Sequence, residues 1–237
     1  MNMVLLFDHD FYAADKVRLK DRRVQHIKQI QRAKSGSTLE VGLLNGSKGL
    51  GQITRMEAHT IEMEVTLNTA SAPPLPLTLI LALPRPKMLR RIISTIATLG
   101  IKKLVLINSY RVEKSYWQSP ALSTENIHQY IHLGLEQAKD TIPPTIAMCK
   151  RFKPFVEDTL PELIQGTIPL VAHPKAEEAC PDNLPRQVTL AVGPEGGFIP
   201  YEIEKLELSG FSSIHLGPRI LTVETAIPVL AAKLFSF

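Results

Sequence analysis

The spacing of apolar residues changes character along the chain. Over the first 70 residues the apolar runs are short and alternate with polar positions. Residues 38–44 form such a run and end at Asn45-Gly46, a pair that favours a tight two-residue turn. Residues 49–53 and 60–65 follow as further short strands, and Gly46, Gly49 and Gly51 read as hairpin glycines. Ahead of them, Val24, Ile27 and Ile30 recur at helical spacing.

A proline-rich break, Ser71-Ala72-Pro73-Pro74-Leu75-Pro76, then interrupts the pattern. Beyond it strand-like and helix-like stretches alternate. Residues 77–83 are continuously apolar, as a strand buried on both faces requires. Met88, Ile92, Ile96 and Leu99 mark a helix closed by Gly100. Residues 104–107 read as a strand, 146–152 as an extended segment, 155–164 as a helix and 168–174 as a strand running into a loop. Residues 188–192 and 213–216 are strand-like again. Pro200 opens a helix with Glu202 and Glu204 in its first turns, where the helix dipole favours acids. The last helix spans about 223–235, with Pro228 as an expected kink. The pattern therefore predicts a small β-rich module over residues 1–70, a linker over 71–76, and an α/β domain over 77–237.

Composition adds bounds. The chain has 237 residues, two cysteines in no metal-type spacing and a net charge of +4. No apolar run approaches the roughly 20 residues of a membrane span, and the N-terminal stretch does not read as a secretion signal. A cytoplasmic protein with free thiols, without a bound metal and without membrane attachment, is expected. His128 and His132 have a spacing that can hold a metal, but no third ligand is evident, and they read as surface or boundary residues.

The charge is concentrated rather than spread. Lys16, Arg18, Lys20, Arg22, Arg23, Lys28, Arg32 and Lys34 fall close together, opposed by Asp21 alone. Such a cluster suits a phosphate backbone, and it equally suits a solvated helix face. A second mixed stretch, residues 108–117, combines aromatics with Arg111 and Lys114 at a strand end; it suits an unpaired base, while Trp117 alone suits a core gap.

Two glycine-bearing loops carry the strongest chemical signal. Gly193-Pro194-Glu195-Gly196-Gly197-Phe198 follows one apolar strand, and Leu216-Gly217-Pro218-Arg219-Ile220-Leu221, then Glu224-Thr225-Ala226, follows another. Each is expected at the C-terminal end of a buried parallel strand, where open α/β sheets bind ligands. Glycine lets backbone approach a ligand closely and proline stiffens the loop. Either loop alone would pass for an ordinary β-to-α turn. No Gly-Lys-Ser/Thr phosphate loop is present, which speaks against a nucleoside triphosphatase.

With these two motifs at this distance the chain closely resembles the RsmE family, S-adenosylmethionine-dependent methyltransferases that modify N3 of a uridine in 16S rRNA of the small ribosomal subunit. The resemblance implies a SPOUT-type α/β domain with a deep trefoil knot, preceded by a PUA-like β-barrel, and a homodimer. It implies a cofactor pocket formed by Ala172, His173, Gly193, Pro194, Glu195, Gly196, Gly197, Leu216, Gly217, Ile220, Leu221 and Thr225. Arg219 is the expected partner of the developing negative charge, and Glu224 is expected to orient it or take the proton. Arg18, Arg22, Arg23, Lys28, Arg32 and Arg111 are the expected RNA contacts. Glu136-Gln137 with Pro143-Pro144 also matches a family segment. The chain departs from the family at Thr222, where an arginine is usual, at Leu89, Ser94 and Ala97 on the first helix of the domain, and at Lys139-Asp140.

Overall fold

A computed structural model describes residues 2–236. By their internal contacts these form two compact units. The first takes residues up to Pro73 together with Ile131–Pro143; the second takes Pro74–Tyr130 and the chain from Pro144 on.

The first unit is built on a six-stranded sheet. In chain order its strands are β1 (Val4–Leu6), β2 (Phe11–Ala13), β3 (Lys16–Leu19), β4 (Thr38–Leu43), β5 (Lys48–Met56) and β6 (Ile61–Thr69), arranged β1-β4-β5-β6-β3-β2. Only the β1–β4 pair is parallel. Alternation decides which face is buried: Val17 and Leu19 on β3, and Ile61, Met63 and Val65 on β6, point into one core with Val4, Leu6, Val41 and Ile53. Helix α1 (Arg22–Gln29) adds Val24 and Ile27 to that core. Ile30, expected on the same apolar stripe, is 69% exposed because the helix ends one residue earlier. The basic cluster is thus divided among a strand, Lys16–Leu19, the helix, and the segments beside them that carry Lys20, Arg32 and Lys34. Gly49 is required by close packing: a Cβ there would lie 1.8 Å from the carbonyl oxygen of Thr66 on β6.

The second unit is a seven-stranded, all-parallel sheet. Its strands are β7 (Leu75–Ala82), β8 (Ile101–Ile107), β9 (Thr145–Cys149), β10 (Ile168–Ala172), β11 (Glu178–Ala179), β12 (Val188–Val192) and β13 (Ser212–His215), in the order β11-β13-β10-β12-β7-β8-β9. The two central strands, β12 and β7, are the most continuously apolar and buried, as parallel strands covered on both faces must be. Helix α2 (Pro86–Thr98) buries Leu89, Ile92, Ile93, Ile96 and Ala97. Two of the family departures, Leu89 and Ala97, are therefore core residues here. Helix α3 (Thr124–Ala138) follows the β8 loop. Helix α4 (Phe152–Pro154) passes through one π turn (Phe155–Thr159) into α5 (Leu160–Ile164). Helices α6 (Pro200–Leu208) and α7 (Val223–Leu234) follow the two glycine loops, and Pro228 lies inside α7.

Register brings the strand ends together. Val192 pairs with Ala172 on one side and Leu81 on the other; Ala82 pairs with Ile107, and Ile107 with Cys149; Ala172 pairs with Ile214. The loops that leave β7, β8, β10, β12 and β13 therefore emerge along one edge of the sheet. Among the described residues no helix is long and apolar enough to cross a membrane.

Candidate active site

The loop after β12 is held by its own backbone and by its neighbours. The Gly197 amide donates to the Pro194 carbonyl at 2.7 Å, and Gly197 adopts a left-handed φ of 73°. Gly193 is packed so closely that a Cβ would stand 2.9 Å from the Phe198 nitrogen. Three side-chain ties then fasten adjacent loops to this one. Glu195 Oε1 accepts from the Arg85 amide at 3.1 Å, which binds the β7 loop. The Arg111 guanidinium donates to the Gly196 carbonyl, which binds the β8 loop. Glu202, only 2% exposed, accepts from the Tyr110 amide at 2.7 Å and, with its other oxygen, from the Ile199 amide at 3.0 Å.

The last of these ties is legible only in part. A Glu at the third position of α6 is a capping-box signature, reaching back to the amide at the helix start. Its second oxygen, engaged 92 residues away, leaves no trace in local spacing. In the same loop Trp117 Nε1 donates to Asn108 Oδ1 at 2.8 Å, so the tryptophan is partnered within the loop.

The loop after β13 is more open. His215 Nδ1 accepts from the Gly217 amide at 2.9 Å, and Gly217 takes a left-handed φ of 97°. Pro218, Arg219 and Ile220 are exposed, Ile220 at 83%. Thr222 forms the entry to α7: its carbonyl accepts from the amides of Thr225 at 3.0 Å and Ala226 at 2.8 Å, and its hydroxyl lies 3.1 Å from that of Thr225. Glu224 stands in the first turn, half-buried. Leu216 and Leu221 flank the exposed stretch and are also half-buried.

Between these loops lies the end of β10. Ala172 is half-buried, and the His173 amide donates to the Ile214 carbonyl at 2.9 Å. Burial, assisted by Lys175 and opposed by Glu207, holds the His173 imidazole below its ordinary pKa. A cleft of about 500 Å³ is lined by His173, Lys175, Glu178, Glu207 and Ser213; of the expected cofactor residues it takes in only His173. With β10 between β12 and β13, the two glycine loops start about 10 Å apart, two strand spacings. The arrangement is a row of backbone-rich loops with an exposed cation, Arg219, at one end.

The expected RNA contacts in the first unit lie differently. Arg23 is 2% exposed, and all its donors are taken: Nε by Asp21, Nη1 by Asp10 and the Leu5 carbonyl, Nη2 by Asp10 and Asp21, at 2.5–3.0 Å. A guanidinium so enclosed has nothing left for an outside phosphate. Burial works against the charge on Asp21, but hydrogen bonds and attraction to Arg23 outweigh it and lower the carboxyl's pKa. Arg22 forms a two-pronged pair with Glu136 at 2.8 and 3.1 Å, and burial raises the Glu136 pKa despite that partner. Arg18 pairs with Glu62 at 2.8 Å, and Lys28 donates to the carbonyls of Glu57 and Ala58. Arg32 is exposed, with a left-handed φ of 51°.

Comparison with known proteins decides the family. Residues 71–235 match the model of the RNA methyltransferase domain. The chain belongs to that family. Relatives that match most of this chain include "Ribosomal RNA small subunit methyltransferase E" of Treponema pallidum, 28% identical over 95% of this chain and 87% of the relative. The protein of the same name from Synechocystis is 27% identical over 92% and 72%. Among solved structures, ribosomal RNA small subunit methyltransferase E of Neisseria gonorrhoeae, bound to S-adenosyl methionine, superposes with a TM-score of 0.70 at 20% identity, covering 97% of this chain and 96% of that one. A methyltransferase from Legionella pneumophila, also in complex with S-adenosylmethionine, gives a TM-score of 0.70 at 22% identity over 98% of each chain. The fold of this RNA methyltransferase is thus shared along nearly its whole length, and the resemblance carried by two loops extends to the full chain.

Proposed function

We propose that this protein transfers the methyl group of S-adenosylmethionine to N3 of a uridine in 16S rRNA of the small ribosomal subunit. The observation that carries the reading is the pair of glycine loops flanking β10 on one edge of a parallel sheet, in a chain of the RNA methyltransferase family. The residues fit the donor. Gly193 and Gly196 are closely packed, a side chain at Gly193 colliding with the Phe198 nitrogen and one at Gly196 with the Arg111 side chain, and Gly197 takes a left-handed φ. Backbone groups of residues 193–197 and 216–221, with Ala172, His173 and Thr225, would hold adenine and ribose.

Bound there, S-adenosylmethionine supplies an electrophilic methyl group for in-line displacement by the uridine nitrogen. This chain's residues supply position and charge. Uridine N3 must lose its proton, and the resulting anion spreads over two carbonyl oxygens. The Arg219 guanidinium, exposed on the β13 loop, can reach that anion or a neighbouring phosphate. Glu224, in the first turn of α7, orients Arg219 or accepts the proton. Glu195 has a structural share in the site, because one of its oxygens holds the β7 loop.

The same reading extends to the whole molecule. The second unit is a SPOUT-type domain with a trefoil knot, and the sheet of the first unit is a PUA-like barrel that presents the exposed Arg32 to RNA, with Arg18, Arg22 and Lys28 sharing their charge with Glu62, Glu136 and the Glu57 and Ala58 carbonyls. The protein works as a cytoplasmic homodimer. Thr222, at a position where the family usually has arginine, favours one alternative: a protein that keeps the fold and binds RNA without methylating it.

The test is nucleoside mass spectrometry on small subunits lacking the modification, after incubation with the protein and S-adenosylmethionine. New 3-methyluridine is expected. Donor binding by calorimetry without any methylated nucleoside would overturn the reading in favour of the alternative, and a Thr222→Arg variant that then gained activity would locate the loss.

A further inference from the structure

Tyr110 is 79% exposed, the most exposed aromatic side chain among the described residues, yet its backbone is among the most firmly held parts of the β8 loop. Its amide donates to the buried carboxylate of Glu202 at 2.7 Å. On one side Ser109 is 2% exposed; on the other Val112 is 6% exposed, and its amide closes a turn onto the Ser109 carbonyl at 3.1 Å. The next residue, Arg111, is fastened to the Gly196 carbonyl of the glycine loop. A large ring is therefore presented to solvent from a fixed mount directly beside the loop proposed to hold the methyl donor.

The mount is maintained at a cost. The Ser109 hydroxyl is buried and has no hydrogen-bond partner among the described residues, an arrangement that opposes folding. The surroundings are cationic: Arg85, tied to the same loop through Glu195, is exposed, as are Lys87 and Lys114. An aromatic face that needs no ordering, among cations, matches the chemistry of an unpaired nucleobase and its phosphates.

We propose that Tyr110 is a stacking platform for an unpaired base of the RNA substrate, holding the target strand beside the glycine loop. The inference rests on the RNA methyltransferase reading above and assigns the aromatic that performs this task. Trp117 is partnered by Asn108 and half-buried, and Tyr201 is 46% exposed and lies under the Lys205 ammonium; neither offers such a face.

Two measurements on Tyr110→Ala, Tyr110→Phe and Tyr110→Trp test it. The first is steady-state methylation of small subunits with donor affinity by calorimetry; the second is fluorescence anisotropy of a short single-stranded RNA. Removing the ring should raise KM for RNA and weaken oligonucleotide binding roughly five- to hundred-fold, the range base–aromatic stacking gives on alanine substitution, with donor affinity unchanged. The Phe and Trp variants should stay within about twofold of the parent, since every aromatic face stacks. Unchanged RNA affinity in Tyr110→Ala would overturn the proposal. So would an equal loss of donor affinity, which would mark a structural role, or a Phe variant as weak as Ala, which would assign the effect to the hydroxyl. If the parent transfers no methyl but binds RNA through Tyr110, the functional reading fails and the platform stands; if the parent binds no RNA, both fall.

Discussion

The charged residues around α1 in the first unit and those around the glycine loops in the second are used in opposite ways. In the first, arginines and carboxylates neutralise each other: Arg23 is enclosed by Asp10 and Asp21, Arg22 is clamped to Glu136, and Arg18 lies on Glu62. In the second, the carboxylates near the glycine loops accept from backbone amides instead. Glu195 takes the amide of Arg85, and Glu202 takes those of Tyr110 and Ile199. There the acids shape loops and leave the neighbouring cations Arg85, Lys87 and Arg219 exposed. The denser cluster of basic residues in the sequence is therefore the one whose cations are more heavily committed inside the protein. Counting cations locates positive charge; only their partners say whether that charge is offered to a phosphate.

The largest effect should come from opening the enclosed pair. Arg23→Ala leaves the buried Asp10 carboxylate uncompensated, and a loss of about 3–5 kcal/mol is expected from urea denaturation. A loss under about 1 kcal/mol would mean that water replaces the guanidinium, and the contrast between the units would weaken. Glu202→Gln comes next. The amide keeps one acceptor and sets an N–H against a backbone N–H, so a loss of about 1–3 kcal/mol is expected, together with weaker donor binding in calorimetry as the glycine loop loosens. Wild-type donor affinity in this variant would show that the tie to the β8 loop is not what positions residues 193–199.

The mildest effect concerns His173. Its folded pKa lies below the ordinary 6.5 because burial, with Lys175, penalises the imidazolium. The unfolded chain then binds the proton first as pH falls. Stability associated with this residue is thus full above 6.5 and lost on acidification through the folded pKa. His173→Gln should flatten the stability curve over that interval relative to the parent. Parallel curves would mean that solvent screens the site completely.

What could be read in advance follows from how local each signal is. The strand ending at Val192 is a short, fully buried run, whereas the one ending at His215, expected to be apolar and buried, is Ser212–His215 and buries only Ile214; the glycines behind them answer to close packing and left-handed backbone at the positions that carry them, Gly193, Gly197 and Gly217. Helix α2 was legible through its period, although the buried stripe is Leu89, Ile92, Ile93, Ile96 and Ala97 rather than one running through Met88 and Leu99. The fate of the basic cluster was not legible. Arg22 meets its carboxylate 114 residues along the chain, and no periodicity records such a partner. For Arg23 the signal was present but ambiguous: Asp21 caps α1 and accepts from the Arg23 amide and side chain alike. For Tyr110 the sign was shared: the aromatics of residues 108–117 suited an unpaired base together, and which of them is exposed depends on the packing of its neighbours.

The strand order also has a consequence for how the protein is made. At the centre of the second sheet, β7 pairs with β12, whose first residue, Val188, lies opposite Leu77. While the chain is being synthesised, β7 and β8 are complete long before β12 exists. About a hundred residues must still be added, which at ordinary translation speeds takes roughly 5–20 s. Throughout that interval the flank of β7, with Leu79, Ile80 and Leu81 that end up fully buried, waits as an open edge. The nascent chain should therefore be a client for holding chaperones until residue 192 clears the ribosome, and any truncation short of β12 should aggregate rather than fold.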